Sequence, residues 1–340
     1  MLYSLDHVRI YCEDLDAQID RLVGALGFTV HGTAGGDTYS VDLRAGGIHL
    51  VLTKPVAEDD PGTAYVRAHG FGVADIALAN PDVVAAYTEA VRHGARSITP
   101  PREHDGVVTA VIGGFGDVVH TLVQRPPGSL LPGFTPVAGA TPGPDAGLHT
   151  LDHLAVCLEP GQLDPTVEFY ERALAFDMVF TEKIEVGRQA MNSKVVQSAD
   201  RTVTLTLIEP DVSRDPGQID EFIKNHGGAG VQHIAFGTDD IVTSVSRLAA
   251  RGVEFLRTPA AYYDLLVDRL TPQHHGVDEL RGQNILVDED HDGQLYQIFA
   301  RSVHPRGTLF FEAIERMGAR TFGSGNIKAL YEAVERERMK

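Results

Sequence analysis

The sequence contains few cysteines and no long apolar run. Its two cysteines, Cys12 and Cys157, form neither a CxxC pair nor a zinc-binding spacing, which argues against a disulfide framework and a zinc site. Both lie in apolar, strand-like segments, so we expect buried free thiols. No apolar run approaches the ~20 residues of a membrane span, and the N-terminal residues lack the pattern of a signal peptide. We therefore expect a cytoplasmic protein with no membrane partner.

The chain also has few positive charges for its length. It contains 29 Lys and Arg residues against 47 Asp and Glu residues, which gives a formal net charge of −18. This charge disfavours nucleic acid and anionic membrane surfaces as partners, because both would be repelled. At 340 residues, with 43% hydrophobic residues, the chain is long and apolar enough to build two ordinary domains.

An internal repeat divides the sequence into two halves. Leu5-Asp6-His7-Val8 matches Leu151-Asp152-His153-Leu154, and residues 72–78 match residues 230–236. Each match is followed by a helical pattern and then by strand-like runs. The sequence therefore predicts four βαβ-type units, two in each half.

The repeat and the composition together predict the domain boundaries. We expect a first domain at residues 1–125, a linker at residues 126–148 and a second domain at residues 149–340. The linker region contains six prolines and several glycines, so we expect an extended connection. Residues 116–122 align with residues 293–299 in the repeat, after which the first half continues as a loop.

Three apolar segments in the second half each carry one candidate metal ligand, namely His153, His233 and Glu312. A single histidine in an apolar strand is usually a hydrogen-bonded core residue. A buried glutamate is costlier, because an unpaired carboxylate loses its hydration, and a nearby cation would remove that cost. Two imidazoles and one carboxylate form the facial triad of non-heme Fe(II) oxygenases, which leaves open positions for substrate and O2.

The first half serves as an internal control for this interpretation. His7 stands at the position of His153, but Asp75 replaces His233, and we expect no strand that matches Glu312. A purely structural role for the motif would be served equally by either half. The complete set in one half alone therefore predicts a metal site in the second half and a structural role for His7.

The second half resembles the 4-hydroxyphenylpyruvate dioxygenase family of the vicinal oxygen chelate superfamily. The segments that carry the resemblance are residues 228–235, residues 252–256, Tyr262-Tyr263, residues 285–288, residues 297–299, Phe310-Phe311-Glu312 and Phe322-Gly323-Ser324-Gly325-Asn326. The resemblance implies an α+β fold of two tandem vicinal oxygen chelate domains. Each domain would contain two βαβββ modules that form a curved open barrel around a cavity, followed by a C-terminal helix.

The resemblance also implies the contents of the site. Fe(II) would be held by His153, His233 and Glu312. Substrate-binding residues would form a polar pocket with aromatic and aliphatic walls, and they are Ser193, Thr206, Ile208, Gln218, Gln232, Gln297, Phe299, Phe322 and Ile327. The implied substrates are 4-hydroxyphenylpyruvate and O2, and a homodimer is a further expectation.

Two positions depart from the homogentisate-forming members of the family. Those members read Pro-x-Asn-Glu-Pro where this chain reads Thr206-Leu207-Ile208-Glu209-Pro210, and they end in Gly-Asn-Phe where this chain has Gly325-Asn326-Ile327. An amide and an aromatic ring have both become aliphatic. This pattern is similar to the branch of the family that forms 4-hydroxymandelate by oxidative decarboxylation and benzylic hydroxylation. Homogentisate formation and a non-catalytic small-ligand binding protein are the alternatives.

The sequence of the C-terminal segment allows two interpretations of its role. Ile327, Leu330, Tyr331 and Val334 share one helical face, after glycines that could act as a hinge. The helix could be packed permanently on the second domain, or it could be a lid that closes the site during turnover.

Overall fold

The computed structural model describes residues 2–36 and 38–329, which form strands and helices in a repeating order. The strands are β1 (Ser4–Tyr11), β2 (Thr29–Ala34), β3 (Thr38–Ala45), β4 (Ile48–Pro55), β5 (Gly72–Ala79), β6 (Ser97–His104), β7 (Val107–Gly113), β8 (Val119–Gln124), β9 (Thr135–Pro136), β10 (Leu148–Cys157), β11 (Asp177–Val186), β12 (Gln189–Gln197), β13 (Thr204–Pro210), β14 (Gly230–Thr238), β15 (Leu286–Asp290), β16 (Gly293–Phe299) and β17 (Phe310–Met317). The helices are α1 (Leu15–Asp20), continued by a π-helical turn (Arg21–Ala25), α2 (Pro61–His69), α3 (Val83–Arg92), α4 (Leu163–Leu174), α5 (Gln218–His226), α6 (Ile241–Ala250), α7 (Ala260–Arg269) and α8 (Val277–Gln283).

The strands form two curled sheets with the same internal order. The first sheet runs β6-β7-β8-β5-β1-β4-β3-β2-β9, and the second runs β15-β16-β17-β14-β10-β13-β12-β11. Apart from β9, each strand of the first sheet has a counterpart in the second. Both halves consist of two βαβββ modules whose sheet curves into a half-barrel, so the predicted α+β fold of tandem vicinal oxygen chelate domains is confirmed.

One detail of the predicted repeat is wrong. β5 pairs in parallel with β8, as β14 pairs in parallel with β17, so β8 is the counterpart of β17. Residues 116–122 therefore do not correspond to residues 293–299, and the first half does contain a strand that matches Glu312. Asp75 pairs with Val119, as His233 pairs with Phe310, and two residues further on Thr121 takes the position of Glu312. This correspondence is not evident from the sequence, because β6, the counterpart of β15, has no buried residue that would mark it as a strand.

Alternation along the strands separates the core from the barrel interior. In β10, Leu154 and Val156 are fully buried in a core shared by both halves, whereas His153 and Ala155 face the interior. Aromatic rings join the halves within this core, with Phe28 and Phe236 at 6.0 Å. Burial of one such large apolar side chain stabilises the fold by about 1.5–3 kcal/mol.

Corresponding helices begin with the same cap in both halves. The Asp82 carboxylate accepts a hydrogen bond from Ala85 N at the start of α3, and the Asp240 carboxylate accepts one from Thr243 N at the start of α6. Such a cap stabilises a helix by about 1 kcal/mol, because it satisfies a free backbone N–H. The helix that follows each central strand thus starts at an equivalent position.

Bulges interrupt the central strand pair at equivalent positions in the two halves. His153 pairs with Ala235 and Leu151 with Phe236, so Asp152 is an extra residue in β10; Asp6 is the corresponding extra residue in β1. A bulge turns neighbouring side chains toward the same side of the sheet. This geometry allows each aspartate to reach the ring of the histidine that follows it.

The linker does more than connect the halves. Leu131 and Phe134 pack inside the first half-barrel against Val51, Ala77 and Val123, and β9 adds to the edge of the first sheet beside β2. The prediction of an extended connection is therefore incomplete. The linker fills the interior of the first half-barrel with apolar side chains.

The C-terminal segment, residues 319–329, packs on the second half. Residues 324–329 are helical, Ala329 joins a second core with Tyr262 and Leu266, and the Tyr262 hydroxyl donates to Asn326 Oδ1 at 2.7 Å. Leu330, Tyr331 and Val334, which the predicted apolar face contains, lie outside the described residues.

Both cysteines are buried free thiols, as predicted. Burial raises the pKa of the Cys12 thiol to about 12, so this thiol is protonated at neutral pH. Among the described helices, none combines the length and apolar character needed to cross a membrane.

Candidate metal centre

Strand register brings His153, His233 and Glu312 together. Ala235 in β14 pairs on one side with His153 in β10 and on the other side with Glu312 in β17. His233 lies two residues before Ala235, so its side chain projects from the same face of the sheet. Three adjacent strands thus direct one polar side chain each toward a common point inside the second half-barrel.

The three side chains meet at close range. The Nε2 atoms of His153 and His233 are 3.4 Å apart, and Glu312 Oε2 lies 3.5 Å and 3.1 Å from them, respectively. The residues are only 3%, 9% and 3% exposed. Burial lowers the pKa of His233, which keeps its ring neutral with a lone pair available for coordination.

This donor set fits a metal ion. Octahedral ligands with bonds of about 2.1 Å lie roughly 3 Å apart, close to the separations between these three atoms. A carboxylate buried beside two imidazoles, with no cation nearby, would lose its hydration without full compensation. The arrangement of two imidazoles and one carboxylate on one side leaves the opposite side for small-molecule ligands.

A hydrogen-bonded chain holds the ring of His153. His153 Nδ1 donates to Asp152 at 2.8 Å, and Arg316 donates to both oxygens of Asp152 at 2.7 Å and 2.8 Å. Burial alone would raise the pKa of the Asp152 carboxyl, but the hydrogen bonds from Arg316 and His153 outweigh it and hold that pKa well below its usual range. Nε2 of His153 is consequently the nitrogen left to face His233 and Glu312.

The sequence interpretation missed Asp152 and Arg316 as parts of the site. The internal repeat could have identified both residues. Arg125 follows Thr121 by the same number of residues as Arg316 follows Glu312. Arg125 also donates to both oxygens of Asp6, each at 2.9 Å, and Asp6 accepts from His7 at 2.6 Å. The correct register of the repeat would have revealed the shared Arg-Asp-His chain.

Aromatic rings surround the candidate ligands. Phe322 meets the His153 ring edge-on at 5.1 Å, and Phe299 meets the His233 ring edge-on at 5.7 Å. Phe310, which the sequence interpretation did not assign to the site, stacks on His233 at 5.0 Å. Phe299 and Phe322, which the resemblance predicts as aromatic walls, thus contact the rings of the candidate ligands.

Four of the predicted pocket residues share the interior face with the ligands. Thr206 pairs with Ala155 across β13 and β10, and Ser193 pairs with Ile208 across β12 and β13. Gln297 lies two residues before Phe299 in β16, and so on the same face. Thr206 Oγ1 and Gln297 Oε1 are buried without a hydrogen-bond partner among the described residues, so both are available to a ligand.

The remaining predicted residues are less uniform in position. Gln232 is an extra residue in β14, where Val231 pairs with Val156 and His233 with Ala155. Ile327 is half-buried in the C-terminal segment. Gln218 is exposed at the start of α5, so its position lends the predicted pocket role no support.

Helix α5 closes one end of the second half-barrel. Ile219 and Phe222 of this helix form an apolar cluster with Cys157 and Met191, and Ile208 packs against it. At the opposite end a cavity of ≈ 810 Å³ opens between the halves, with Phe322 and Asp152 among its lining residues. Phe322 also contacts the His153 ring, so it lies between this cavity and the candidate ligand His153.

In the first half-barrel, Asp75 and Thr121 occupy the positions of His233 and Glu312. Asp75 accepts hydrogen bonds from Thr121 N and Thr121 Oγ1, and Arg9 stands at the strand position of Ala155. Burial lowers the pKa of His7, and the Arg9 guanidinium lowers it further. The Arg9 guanidinium thus lies in the part of the first half-barrel that corresponds to the site of the candidate ligands in the second half.

Comparison with known proteins places this architecture in a family. A sequence model of the Glyoxalase/Bleomycin resistance protein/Dioxygenase superfamily matches residues 4–118 and 150–298. The 4-hydroxyphenylpyruvate dioxygenase of Dictyostelium discoideum is 33% identical over 98% of this chain and 98% of its own length. The 4-hydroxyphenylpyruvate dioxygenase of Pyricularia oryzae is 36% identical over 85% of this chain and 75% of its own length.

A solved structure is also similar throughout. It is a triple mutant of 4-hydroxymandelate synthase from Streptomyces coelicolor, 45% identical, with a TM-score of 0.88, and it covers 99% of this chain and 100% of its own. Fold, donor set and relatives together define a non-heme iron dioxygenase. The chain belongs to the family of 4-hydroxyphenylpyruvate dioxygenases and 4-hydroxymandelate synthase, within the Glyoxalase/Bleomycin resistance protein/Dioxygenase superfamily.

Proposed function

We propose that this enzyme converts 4-hydroxyphenylpyruvate and O2 to 4-hydroxymandelate and CO2, with Fe(II) held by His153, His233 and Glu312. The observation that carries the chemistry is the meeting of these three buried side chains at 3.1–3.5 Å. Bound Fe(II) would supply the activation of O2 and the chelation of the 2-oxo acid group. The substrate carries its own 2-oxo acid, so no separate 2-oxoglutarate is required.

The residues of the chain orient the substrate and exclude water. Thr206 Oγ1 and Gln297 Oε1 are unpaired polar atoms that can form hydrogen bonds with the substrate. A buried polar atom left without a hydrogen bond costs about 1–3 kcal/mol, so these contacts favour binding. Phe299 and Phe322 form apolar walls beside the ligands. We assign substrate contacts to these residues and to Ser193, Ile208, Gln232 and Ile327, and give Gln218 no role.

The choice of benzylic hydroxylation rests on Ile208 and Ile327. Ile208 packs in the apolar cluster beneath α5, where an asparagine could hold the ring or phenol of the substrate by a hydrogen bond. Removal of that bond and addition of aliphatic volume would shift the ring relative to His153, His233 and Glu312. A displacement of about 1 Å can change a rate roughly 100-fold, so two such positions can redirect the product. The 45% identity to a 4-hydroxymandelate synthase supports the same choice.

Product analysis tests the proposal. The purified chain is reconstituted with Fe(II) without oxygen, then given 4-hydroxyphenylpyruvate and O2, and the product is identified by mass and NMR. We expect 4-hydroxymandelate, with one CO2 released per O2 consumed. A Glu312→Gln variant is the control and should consume no substrate. Absence of Fe(II)-dependent O2 uptake in the unchanged chain would instead favour the non-catalytic ligand-binding alternative.

Homogentisate formation is the second candidate function, because the curated relatives are 4-hydroxyphenylpyruvate dioxygenases. An Ile208→Asn, Ile327→Phe double variant should divert part of the product to homogentisate. The volume-conserving Ile208→Leu change is the control and should leave the product ratio unchanged. Homogentisate from the unchanged chain would overturn the mandelate assignment while leaving the iron chemistry intact.

The remaining expectations from the sequence stay predictions. They are the domain boundaries at residues 1–125, 126–148 and 149–340, the cytoplasmic location and the homodimer.

A further inference from the structure

Arg316 contacts two parts of the second half at once. Its Nε and Nη2 donate to Asp152, which accepts from His153, and its Nη1 donates to the carbonyls of Ala319 and Thr321 at 3.1 Å and 2.7 Å. Its guanidinium also lies over the ring of Phe322 at 5.0 Å. Phe322 in turn meets the His153 ring, so the contacts close a loop around one ligand.

Arg125 makes the corresponding contacts in the first half. It donates to both oxygens of Asp6 and, through Nη1, to the carbonyl of Ser129 in the linker. The linker then turns into the first half-barrel, where Leu131 and Phe134 are packed. In both halves, an arginine at the end of the last strand therefore ties the following segment to the aspartate beside the first histidine.

The two segments differ in what they cover. The linker fills a half-barrel that holds Arg9 where the second half has Ala155, and it is fixed at both ends by the chain. The C-terminal segment places Phe322 between the candidate ligand His153 and the cavity between the halves. The same arginine contact can thus be purely structural in the first half and linked to the ligand site in the second.

We propose that Arg316 is a positioning residue that couples the ring orientation of His153 to the placement of the C-terminal segment, residues 319–329. This inference rests on the proposed function, because it takes His153 to be a ligand of Fe(II). Every nitrogen of the guanidinium is engaged, so a shift of the segment changes the contacts that hold Asp152 and hence the ring of His153. A planar, multidentate donor is needed, and the single ammonium of lysine cannot make all of these contacts together.

The coupling predicts a specific response to metal. Fe(II) binding fixes the His153 ring, so it should slow amide hydrogen exchange in residues 319–329 of the unchanged chain, measured without substrate or oxygen. In Arg316→Lys, this protection should disappear at saturating Fe(II), although the metal still binds. Fe(II) affinity should fall by at least about 10-fold, the usual cost of losing a partner of a ligand.

Two further variants separate coupling from general damage. Arg125→Lys removes the matched contact in the first half and should leave both Fe(II) affinity and the protection of residues 319–329 unchanged. Asp152→Asn keeps the size of the side chain between Arg316 and His153 but removes its negative charge. Like Arg316→Lys, it should lose the Fe(II)-induced protection of residues 319–329. It supplies the test if Arg316→Lys does not fold.

The outcomes distinguish this inference from the proposed reaction. Protection that persists in both Arg316→Lys and Asp152→Asn, or that is lost equally in Arg125→Lys, overturns the coupling. Lack of any Fe(II)-induced protection in the unchanged chain also overturns it. An unchanged chain that shows the predicted protection but does not turn over 4-hydroxyphenylpyruvate refutes the proposed reaction and leaves the coupling supported.

Discussion

Single residues distinguish the half that brings two imidazoles and a glutamate together from the half that does not. His7 and His153 occupy the same strand position, are both buried, and both donate to the preceding aspartate. Their surroundings differ. His153 faces His233 and Glu312, whereas His7 has Arg9 and Asp75 nearby. A fixed guanidinium repels a divalent cation, so we expect one metal per chain.

Replacement of the two histidines by alanine should separate these roles. His153→Ala should reduce Fe(II) affinity by more than about 100-fold, since even loss of a partner of a ligand costs 10–100-fold. His7→Ala should leave Fe(II) affinity unchanged but lower the free energy of unfolding by about 1–3 kcal/mol, because buried Asp6 loses a hydrogen-bond partner. Anaerobic Fe(II) titration and urea unfolding measure the two effects. Equal loss of Fe(II) binding in both variants would refute the division of roles.

At the scale of elements, the sequence revealed the strands that carry a clear apolar pattern. β1, β5, β10 and β14 were recognised because buried residues such as Leu154 and Ile234 alternate with the inward-facing ones. The strands β6 and β11 are not evident from the sequence, because none of their residues is fully buried. The candidate ligands His153, His233 and Glu312 could be identified because each lies in a short, largely apolar strand.

Contacts between distant segments could not be read from the sequence. Arg316 and Asp152 are 164 residues apart, and only the correct strand register brings them together. The linker gave no sign that Leu131 and Phe134 enter the first half-barrel, because its prolines and glycines predict a connection without a fixed partner. Such contacts depend on the curvature of the sheet, which local patterns do not specify.

The linker should contribute measurably to stability. Leu131→Ala leaves a cavity inside the first half-barrel, so we expect the free energy of unfolding to fall by about 2–4 kcal/mol. Val137→Ala, in the same linker but 36% exposed, is the matched control and should change it by less than about 0.5 kcal/mol. Urea unfolding monitored by circular dichroism compares the two. Equal, small effects would show that the linker does not support the first half.

At the scale of the whole molecule, three buried histidines lie where the halves meet. His69 of α2 stacks on His226 of α5 at 4.3 Å, and its Nε2 donates to Asp117 at 2.8 Å. His304 lies close to both, with Arg306 nearby. Burial, and then the neighbouring His69, lower the pKa of His226 to about 4 from its ordinary 6.5.

This junction should make stability depend on pH. The unfolded chain binds a proton at His226 near pH 6.5, but the folded chain binds it only near pH 4. Stability therefore falls as the pH drops between these values, by at most about 1.4 kcal/mol per pH unit for one histidine. His226→Phe retains a stacking ring and should flatten this slope, whereas His291→Gln, 88% exposed at its side chain, should not. Identical slopes in urea unfolding would exclude His226 as the cause.

The central claim is that one Fe(II) ion is bound between His153, His233 and Glu312. Diffraction from crystals prepared without oxygen and loaded with Fe(II), recorded on both sides of the iron absorption edge, tests it most directly. We expect one strong anomalous peak per chain, within bonding distance of the Nε2 atoms of His153 and His233 and of the Glu312 carboxylate. A peak beside His7 in the first half, or no peak at the three side chains, would contradict it.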